Sequence, residues 1–353
     1  MSAEGSIDRS RLVYRWDLDK TYLRTEFDTV RDLLRTAFEP VRQKQTVPGA
    51  AALLREVKGT SPAGIYILSG SPEQMRRRLE AKLRLDGVHW DSFVLKPSLR
   101  NLLRGRFRFL RDQVGYKLEA LLGSRLQVEP DTDEILFGDD AEADGFIYSL
   151  YADICADRVG NEVLMQVLRR AQVYEQELPS LVRMMSRVPH RGEVRRIFIH
   201  LDRVSPPDVF ADYGQRLCPF YNYFQPALVL LEMGCIDADA ALRVGAEIVV
   251  QHGFAPDALT ASFIDLARRD HVGRRAGERI LAQADAIDPR RYSTAAPVLR
   301  AFADELAPRV PDLGEPHEPE PVEIDYVRLF DRDQERSRAA KARAILRRSP
   351  RLL

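Results

Sequence analysis

The sequence has few cysteines, no net charge and no long apolar segment. Its 353 residues include three cysteines and equal numbers of basic and acidic residues, 53 each. Three distant cysteines argue against a disulfide framework or a zinc site, and they favour reduced thiols in the cytoplasm. The neutral charge argues against a protein that mainly coats nucleic acid. No apolar run approaches the roughly 18 residues that predict a membrane-spanning helix.

The chain also lacks the composition of a disordered or secreted protein. Apolar residues make up 45% of the sequence, which is enough for a core. Met1 to Arg11 contain no apolar stretch, so we expect no secretory signal and a cytoplasmic location. At about 150 residues per domain, the length predicts two domains.

The first segment, residues 11–157, alternates short apolar runs with helical patterns. Each run ends in small or acidic residues, as expected of a strand that is buried on both faces. Strands that alternate with helices predict an α/β fold with a Rossmann-like parallel sheet, whose ligands lie beyond the carboxyl ends of the strands. The runs are Leu12–Tyr14, Gly64–Leu68 and Glu134–Phe137, and the helical patterns are Pro48–Val57, Glu73–Leu85 and Leu103–Leu121.

The later segments differ in pattern from the first. Residues 158–312 carry amphipathic stripes and predict an all-helical domain, in which the run Ile197–Ile199 forms a buried helical turn. The aromatic run Pro219–Phe224 is interpreted as core, and a protein partner is an alternative role for this domain. Residues 313–353 comprise an acidic, proline-rich linker followed by a basic tail, predicted to be a surface helix.

Two acidic residues follow the first predicted strand, in Asp17-Leu18-Asp19-Lys20-Thr21. Alternate residues point the same way, so the carboxyl groups of Asp17 and Asp19 should lie close together. Ionising both carboxyl groups at this distance is unfavourable unless a cation lies between them. Mg²⁺ is a hard cation that prefers oxygen ligands, so it is the expected ion. Asp17 could then attack phosphorus while Asp19 protonates the leaving oxygen.

Later positions supply the other groups that phosphoryl transfer needs. Ser69 ends the second apolar run and can donate to a phosphate oxygen, although it also suits a helix N-cap. Lys117 can neutralise the phosphoryl group, and Lys96 is the alternative lysine.

Acidic residues also follow the third run. Asp139 can ligate the metal, and Asp144 can ligate it or orient a water molecule beside it. Asp140 is the alternative to Asp144. The order and placement of these groups predict a site whose metal ion, lysine and serine bind and stabilise a phosphoryl group.

The motifs Asp17-x-Asp19-x-Thr21, Ser69, Lys117 and Gly138-Asp139-x-x-x-x-Asp144 resemble those of the haloacid dehalogenase superfamily of phosphohydrolases. Val47-Pro48-Gly49, Leu68-Ser69-Gly70-Ser71-Pro72 and Gly138–Asp144 with Ile147-Tyr148 resemble, more narrowly, the catalytic domain of the actin-patch-associated phosphatidate phosphatase family. Lys20 departs from that family, which usually has Asp at this position.

The resemblance covers residues 11–155 and implies both a fold and a reaction. It implies a haloacid-dehalogenase-type sheet with small caps, one between residues 22 and 47 and another within 72–116. It implies Asp17 as nucleophile, Asp19 as acid and base, Ser69 as phosphate donor, Lys117 as stabilising lysine, and Asp139 with Asp144 at the metal. Asp17 and Asp19 are expected to share the Mg²⁺.

The expected function is Mg²⁺-dependent hydrolysis of a phosphomonoester, with a phospholipid such as phosphatidate at a membrane surface as the favoured substrate. The alternatives are a soluble or nucleic-acid phosphomonoester and a non-catalytic scaffold. The basic run Arg100–Arg111 is interpreted as a solvated face, with a rim for anionic substrates as its alternative.

Overall fold

The computed structural model describes residues 7–23, 46–96 and 109–335. Within them, six strands form one sheet in the order β3-β2-β1-β4-β5-β6, and every neighbouring pair is parallel. The predicted α/β fold with a Rossmann-like parallel sheet is confirmed, because this is the strand order of a doubly wound sheet. The strands are β1 (Leu12–Asp17), β2 (Gly64–Pro72), β3 (Ser92–Lys96), β4 (Asp133–Asp139), β5 (Val194–His200) and β6 (Leu217–Phe220).

The helices of the first half connect these strands and cover the sheet. The prediction for Pro48–Val57 is confirmed as α1, and that for Glu73–Leu85 as a 3₁₀ turn followed by α2. Leu103 and Phe107 of the third helical pattern lie outside the described residues. The helices up to residue 170 are α1 (Ala50–Gly59), α2 (Arg76–Leu85), α3 (Phe109–Arg125), α4 (Asp144–Cys155) and α5 (Asn161–Arg170).

The second half is rich in helices but is not all-helical. The prediction of a helical turn at Ile197–Ile199 is wrong, because these residues lie in β5 and pair with Leu136 to Gly138 of β4. β6 extends the same sheet, so strands from both sides of residue 157 pair with one another. The later helices are α6 (Leu178–Met185), α7 (Phe224–Glu232), α8 (Ala238–His252), α9 (Pro256–Arg268), α10 (Arg274–Asp285), α11 (Pro289–Tyr292) and α12 (Ala296–Leu306).

Each face of the sheet packs against its own apolar core. Ile135 and Phe137 of β4 face one core, and Leu136 between them faces the other, as the alternation of a strand requires. The first core includes side chains from α1, α7 and α8, and the second includes side chains from α3, α4 and α5. Burial on both faces explains why the strands read as continuous apolar runs.

Beyond α12, the structure shows the expected linker but also a helix that packs against the second core. Residues 313–325 contain neither helix nor strand and are largely exposed, but residues 326–335 are helical. Tyr326, Leu329 and Phe330 pack into the second core, with Phe330 against Phe146 of α4. The tail after residue 335, the predicted cap over most of residues 22–47 and nearly all of the basic run Arg100–Arg111 lie outside the described residues. Among the residues that the structure covers, no helix is long and apolar enough to cross a membrane.

Candidate active site

The candidate site lies where the strand order reverses, between β1 and β4. These two strands are neighbours, although the chain forms β2 and β3 between them. Asp17 is the last residue of β1 and Asp139 the last of β4, so both lie at the carboxyl edge of the sheet. In doubly wound sheets, ligands bind in the crevice at this reversal. The topology therefore places both acidic motifs at the expected position.

Three carboxylates meet at this edge. Asp17, Asp139 and Asp144 are buried, and each offers an oxygen within 4.8 Å of the others. The backbone N–H groups of Ala141 and Glu142 donate to Asp139 Oδ1, and Thr21 Oγ1 donates to Oδ2 at 3.3 Å. By contrast, neither oxygen of Asp17 accepts a hydrogen bond from another backbone or hydroxyl group of the described residues, and its polar neighbour is the Lys117 ammonium, 3.0 Å from Oδ1.

A glycine allows Asp144 to approach β4 this closely. Asp144 is the first residue of α4, and its Oδ2 accepts a hydrogen bond from the Asp139 N–H at 3.2 Å. A Cβ atom on Gly138 would lie 2.6 Å from Cβ and Oδ2 of Asp144 and 2.8 Å from the ring of Tyr148. Any side chain at residue 138 would therefore push α4 away from the carboxyl edge of the sheet.

The three carboxyl groups have raised pKa values. Burial raises the pKa of Asp17 and of Asp139 well above the ordinary value, and the neighbouring carboxylates raise both further. Burial likewise raises the pKa of Asp144, to about 6, although Lys117 opposes this shift. Buried like charges this close together are unfavourable without a cation.

Lys117 of α3 is the lysine that reaches the site. Its buried Nζ lies 3.0 Å from Asp17 Oδ1 and 2.6 Å from Glu142 Oε2, and it also pairs with Asp144. The alternative, Lys96, ends strand β3 at the edge of the sheet, where its Nζ lies 5.8 Å from the centre of the Tyr116 ring. The geometry therefore favours Lys117.

Asp19 lies beside the trio of carboxylates formed by Asp17, Asp139 and Asp144, and two serines form hydrogen bonds with it. Its Oδ2 accepts hydrogen bonds from Ser69 Oγ at 2.8 Å and Ser71 Oγ at 3.0 Å, and Ser71 N–H donates to Ser69 Oγ. Burial raises the pKa of Asp19, and the two serine hydroxyls oppose that shift. Of the four carboxylates predicted to bind metal, the structure thus groups three, without Asp19.

Asp140 points away from the trio. Its Oδ1 accepts a hydrogen bond from the Arg203 N–H at 2.8 Å, and its Oδ2 accepts one from the Ser205 N–H at 3.3 Å. The structure thus brings Asp144, and not Asp140, to the other two carboxylates.

Two neighbouring side chains were not singled out from the sequence. Glu142 pairs with Lys117 and Ser71 holds Asp19, yet both lie inside the quoted motifs. Their position inside those motifs was the sequence signal that could have identified them. Polar residues are common in loops, however, and only the fold shows which of them point into the site.

The residues present fit a divalent oxygen-binding metal. Carboxylate oxygens are the donors that Mg²⁺ prefers, and a cation would compensate the unsatisfied oxygens of Asp17. Asp17, Asp139 and Asp144 are therefore the side chains that could hold the ion.

One family model matches the part of the chain that contains the site. No curated protein and no solved structure matches the chain. The matched range of a family model, residues 16–170, runs from β1 to α5 and contains every candidate site residue. It is less than half of the chain. That family is described as Phosphatidate phosphatase APP1, catalytic domain, so the predicted resemblance is confirmed over this range.

Proposed function

We propose that the protein is a Mg²⁺-dependent phosphomonoester hydrolase that works through an aspartyl-phosphate on Asp17. The observation that carries the proposal is the set of three buried carboxylates within 4.8 Å of one another, beside a buried lysine. Asp17 is the member of the set whose oxygens have no hydrogen-bond partner among the described residues. The Lys117 ammonium lies 3.0 Å from Oδ1, which leaves Oδ2 as the oxygen that can attack an electrophile.

In the first step, one oxygen of Asp17 attacks phosphorus and the bond to the leaving oxygen breaks. Asp19 gives its proton to that oxygen, a role that its raised pKa supports because burial favours the protonated carboxyl. Ser69 and Ser71 hold the Asp19 carboxyl in place. The products of this step are the released alcohol and a phosphorylated Asp17.

In the second step, water attacks the phosphorus of the aspartyl-phosphate. Asp19 now takes a proton from that water, and Asp17 leaves as a carboxylate with inorganic phosphate as the product. Lys117 offsets negative charge on Asp17 and on the phosphoryl oxygens in both steps. Asp17, Asp139 and Asp144 would hold the Mg²⁺ ion, which would supply positive charge for the same purpose.

We propose a phosphatidate-like lipid phosphate as the substrate. The support is the description of the matching family, which names phosphatidate. We further propose that the protein acts in the cytoplasm and binds a membrane surface peripherally, where such a lipid presents its phosphate group. The haloacid-dehalogenase type of fold with small caps remains a prediction, and it would leave room for a bulky substrate.

The test is phosphate release by the purified full chain with Mg²⁺. The panel contains phosphatidate in vesicles, a short-chain soluble phosphatidate, sugar and nucleotide phosphates, and a 5′-phosphorylated oligonucleotide. We expect release from phosphatidate, and none from the Asp17→Asn variant. Release from a soluble or nucleic-acid phosphate alone would replace the proposed substrate. Absence of metal-dependent release across the panel would overturn the enzymatic proposal and favour a scaffold.

A further inference from the structure

The loop after β1 is held by side chains from the second half of the chain. Lys20, between the two residues Asp19 and Thr21, has a left-handed backbone with φ of 59°. The Lys20 carbonyl accepts a hydrogen bond from Nδ1 of His200 at 2.9 Å, and the Thr21 carbonyl accepts one from the Tyr223 hydroxyl at 2.8 Å. Both donors lie beyond residue 170, outside the range that matches the family model.

The acceptor group shows which ring nitrogen of His200 carries a proton. A carbonyl oxygen only accepts, so Nδ1 of His200 must carry the proton in this contact. His200 is the last residue of β5 and pairs with Asp139 of β4 in the sheet. The ring is therefore fixed on the strand next to β4, beside Asp139, where it can hold the Lys20 carbonyl.

The hydroxyl of Tyr223 is also fixed from several sides. It accepts a hydrogen bond from Trp16 Nε1 at 3.1 Å, while its own proton goes to Thr21. The Tyr223 N–H donates to the Pro48 carbonyl, and its buried ring lies 4.9 Å from that of Phe220. These contacts leave the hydroxyl little freedom to move.

We infer that His200 and Tyr223 are positioning residues for the loop after β1, which follows Asp17 directly and carries Asp19. This inference rests on the proposed function, because it assigns a kinetic role through Asp17 and Asp19. A left-handed residue other than glycine costs about 1–2 kcal/mol, so the loop needs contacts outside itself to keep this shape. A displacement of about 1 Å at a reacting group can cost about 10²-fold in rate.

Tyr223→Phe removes the hydroxyl and keeps the ring. We expect kcat to fall about tenfold or more, with KM changed less than about twofold, on a phosphate substrate that the full chain hydrolyses. Because the loop begins directly after Asp17, Mg²⁺ affinity measured by calorimetry should also fall, by about tenfold.

Tyr151→Phe is the matched control. Its hydroxyl is also buried and donates to Glu134 Oε2 at 2.8 Å, near the opposite end of β4 from Asp139. This variant should lose a similar amount of thermal stability while its kcat and Mg²⁺ affinity stay unchanged. A purely structural role for Tyr223 would make the two variants indistinguishable.

Two substitutions at His200 separate the hydrogen bond from the packing. The side-chain amide of His200→Asn can donate from about the position of Nδ1, whereas His200→Leu cannot donate. We expect Asn to restore most of the kcat that Leu loses, since only Asn can hold the Lys20 carbonyl.

The inference is overturned if Tyr223→Phe matches the full chain in both kcat and Mg²⁺ affinity, or if Asn and Leu at residue 200 behave alike. If the full chain binds Mg²⁺ but releases no phosphate from any substrate, the proposed function fails and the inferred kinetic role fails with it. The Mg²⁺ affinities then show separately whether Tyr223 positions the loop, so the two failures are distinguishable.

Discussion

Replacing Asp17 by asparagine should abolish turnover and, without metal, stabilise the protein. Asp17 is buried, its oxygens have no hydrogen-bond partner among the described residues, and it lies within 4.8 Å of two other carboxylates. Asparagine keeps the shape of the side chain but removes the charge and the nucleophilic oxygen. Function and stability therefore impose opposite demands on this residue, as is common at active sites.

The distances set the size of the stabilisation. At an effective dielectric constant of about 20, two unit charges within 4.8 Å of each other repel by at least about 3.5 kcal/mol, and the attraction between Asp17 and Lys117 at 3.0 Å is about 5.5 kcal/mol. Two repulsions therefore exceed this one attraction by at least about 1.5 kcal/mol when all the carboxyls are ionised. For a chain of this length, that free energy corresponds to a rise in Tm of about 2 °C.

The stabilisation should depend on pH. Burial, together with the neighbouring carboxylates, holds the pKa of Asp17 in the folded protein above its value in the unfolded chain. Folding therefore favours the protonated carboxyl, and this contribution is lost as the pH rises through the folded pKa. The advantage of asparagine should be absent near pH 4 and should grow above pH 6, where Asp144, with a pKa of about 6, also ionises.

Thermal unfolding in a chelator at pH 5 and pH 8 measures the stability, and phosphate release with Mg²⁺ measures the activity. We expect kcat to fall at least about 10⁴-fold. Asp140→Asn is the matched control. The Asp140 carboxylate accepts hydrogen bonds from the backbone N–H groups of Arg203 and Ser205, away from the site, so this variant should keep its activity. Turnover within tenfold of the unmodified chain would refute the nucleophile assignment. A lower Tm at pH 8 for Asp17→Asn would refute the electrostatic reasoning.

Three further predictions concern residues around the site. Lys117→Met should lower kcat by about 10²–10³-fold, because the charge beside Asp17 is lost; steady-state kinetics measure this. Ser71→Ala should lower kcat about tenfold, because Asp19 loses a hydrogen bond, whereas an unchanged kcat would show that this bond is dispensable. Glu134→Gln should destabilise the fold by about 3–5 kcal/mol in urea unfolding without changing kcat, since it breaks a buried pair with Arg15.

The sequence predicted the strands that carry the active site more reliably than the strands beside them. Leu12–Tyr14 and Glu134–Phe137 are buried on both faces, and this burial leaves a continuous apolar run that can be recognised locally. Ile197–Ile199 is as short and as apolar as Leu12–Tyr14, but it lies within a segment of amphipathic helical stripes, where such a run fits a helical turn as well as a strand. Its pairing with β4, more than 50 residues earlier, decided the matter.

The acidic groups of the site, in contrast, could be predicted from their order in the chain. Asp17 and Asp139 each follow a buried run, and in a parallel sheet the carboxyl ends of neighbouring strands meet at one edge. Local pattern therefore determined which strands would bring carboxylates together, and with them a divalent metal as the expected partner.

Only the tertiary structure decided which side chains complete that group. Lys117 and Lys96 are both basic residues near the site, but α3 carries Lys117 over the carboxylates while Lys96 ends at the sheet edge. Asp144 enters the site because α4 packs against Gly138. Hydrophobic pattern and charge are properties of short segments, whereas the direction of a side chain depends on contacts between segments that are distant in the sequence.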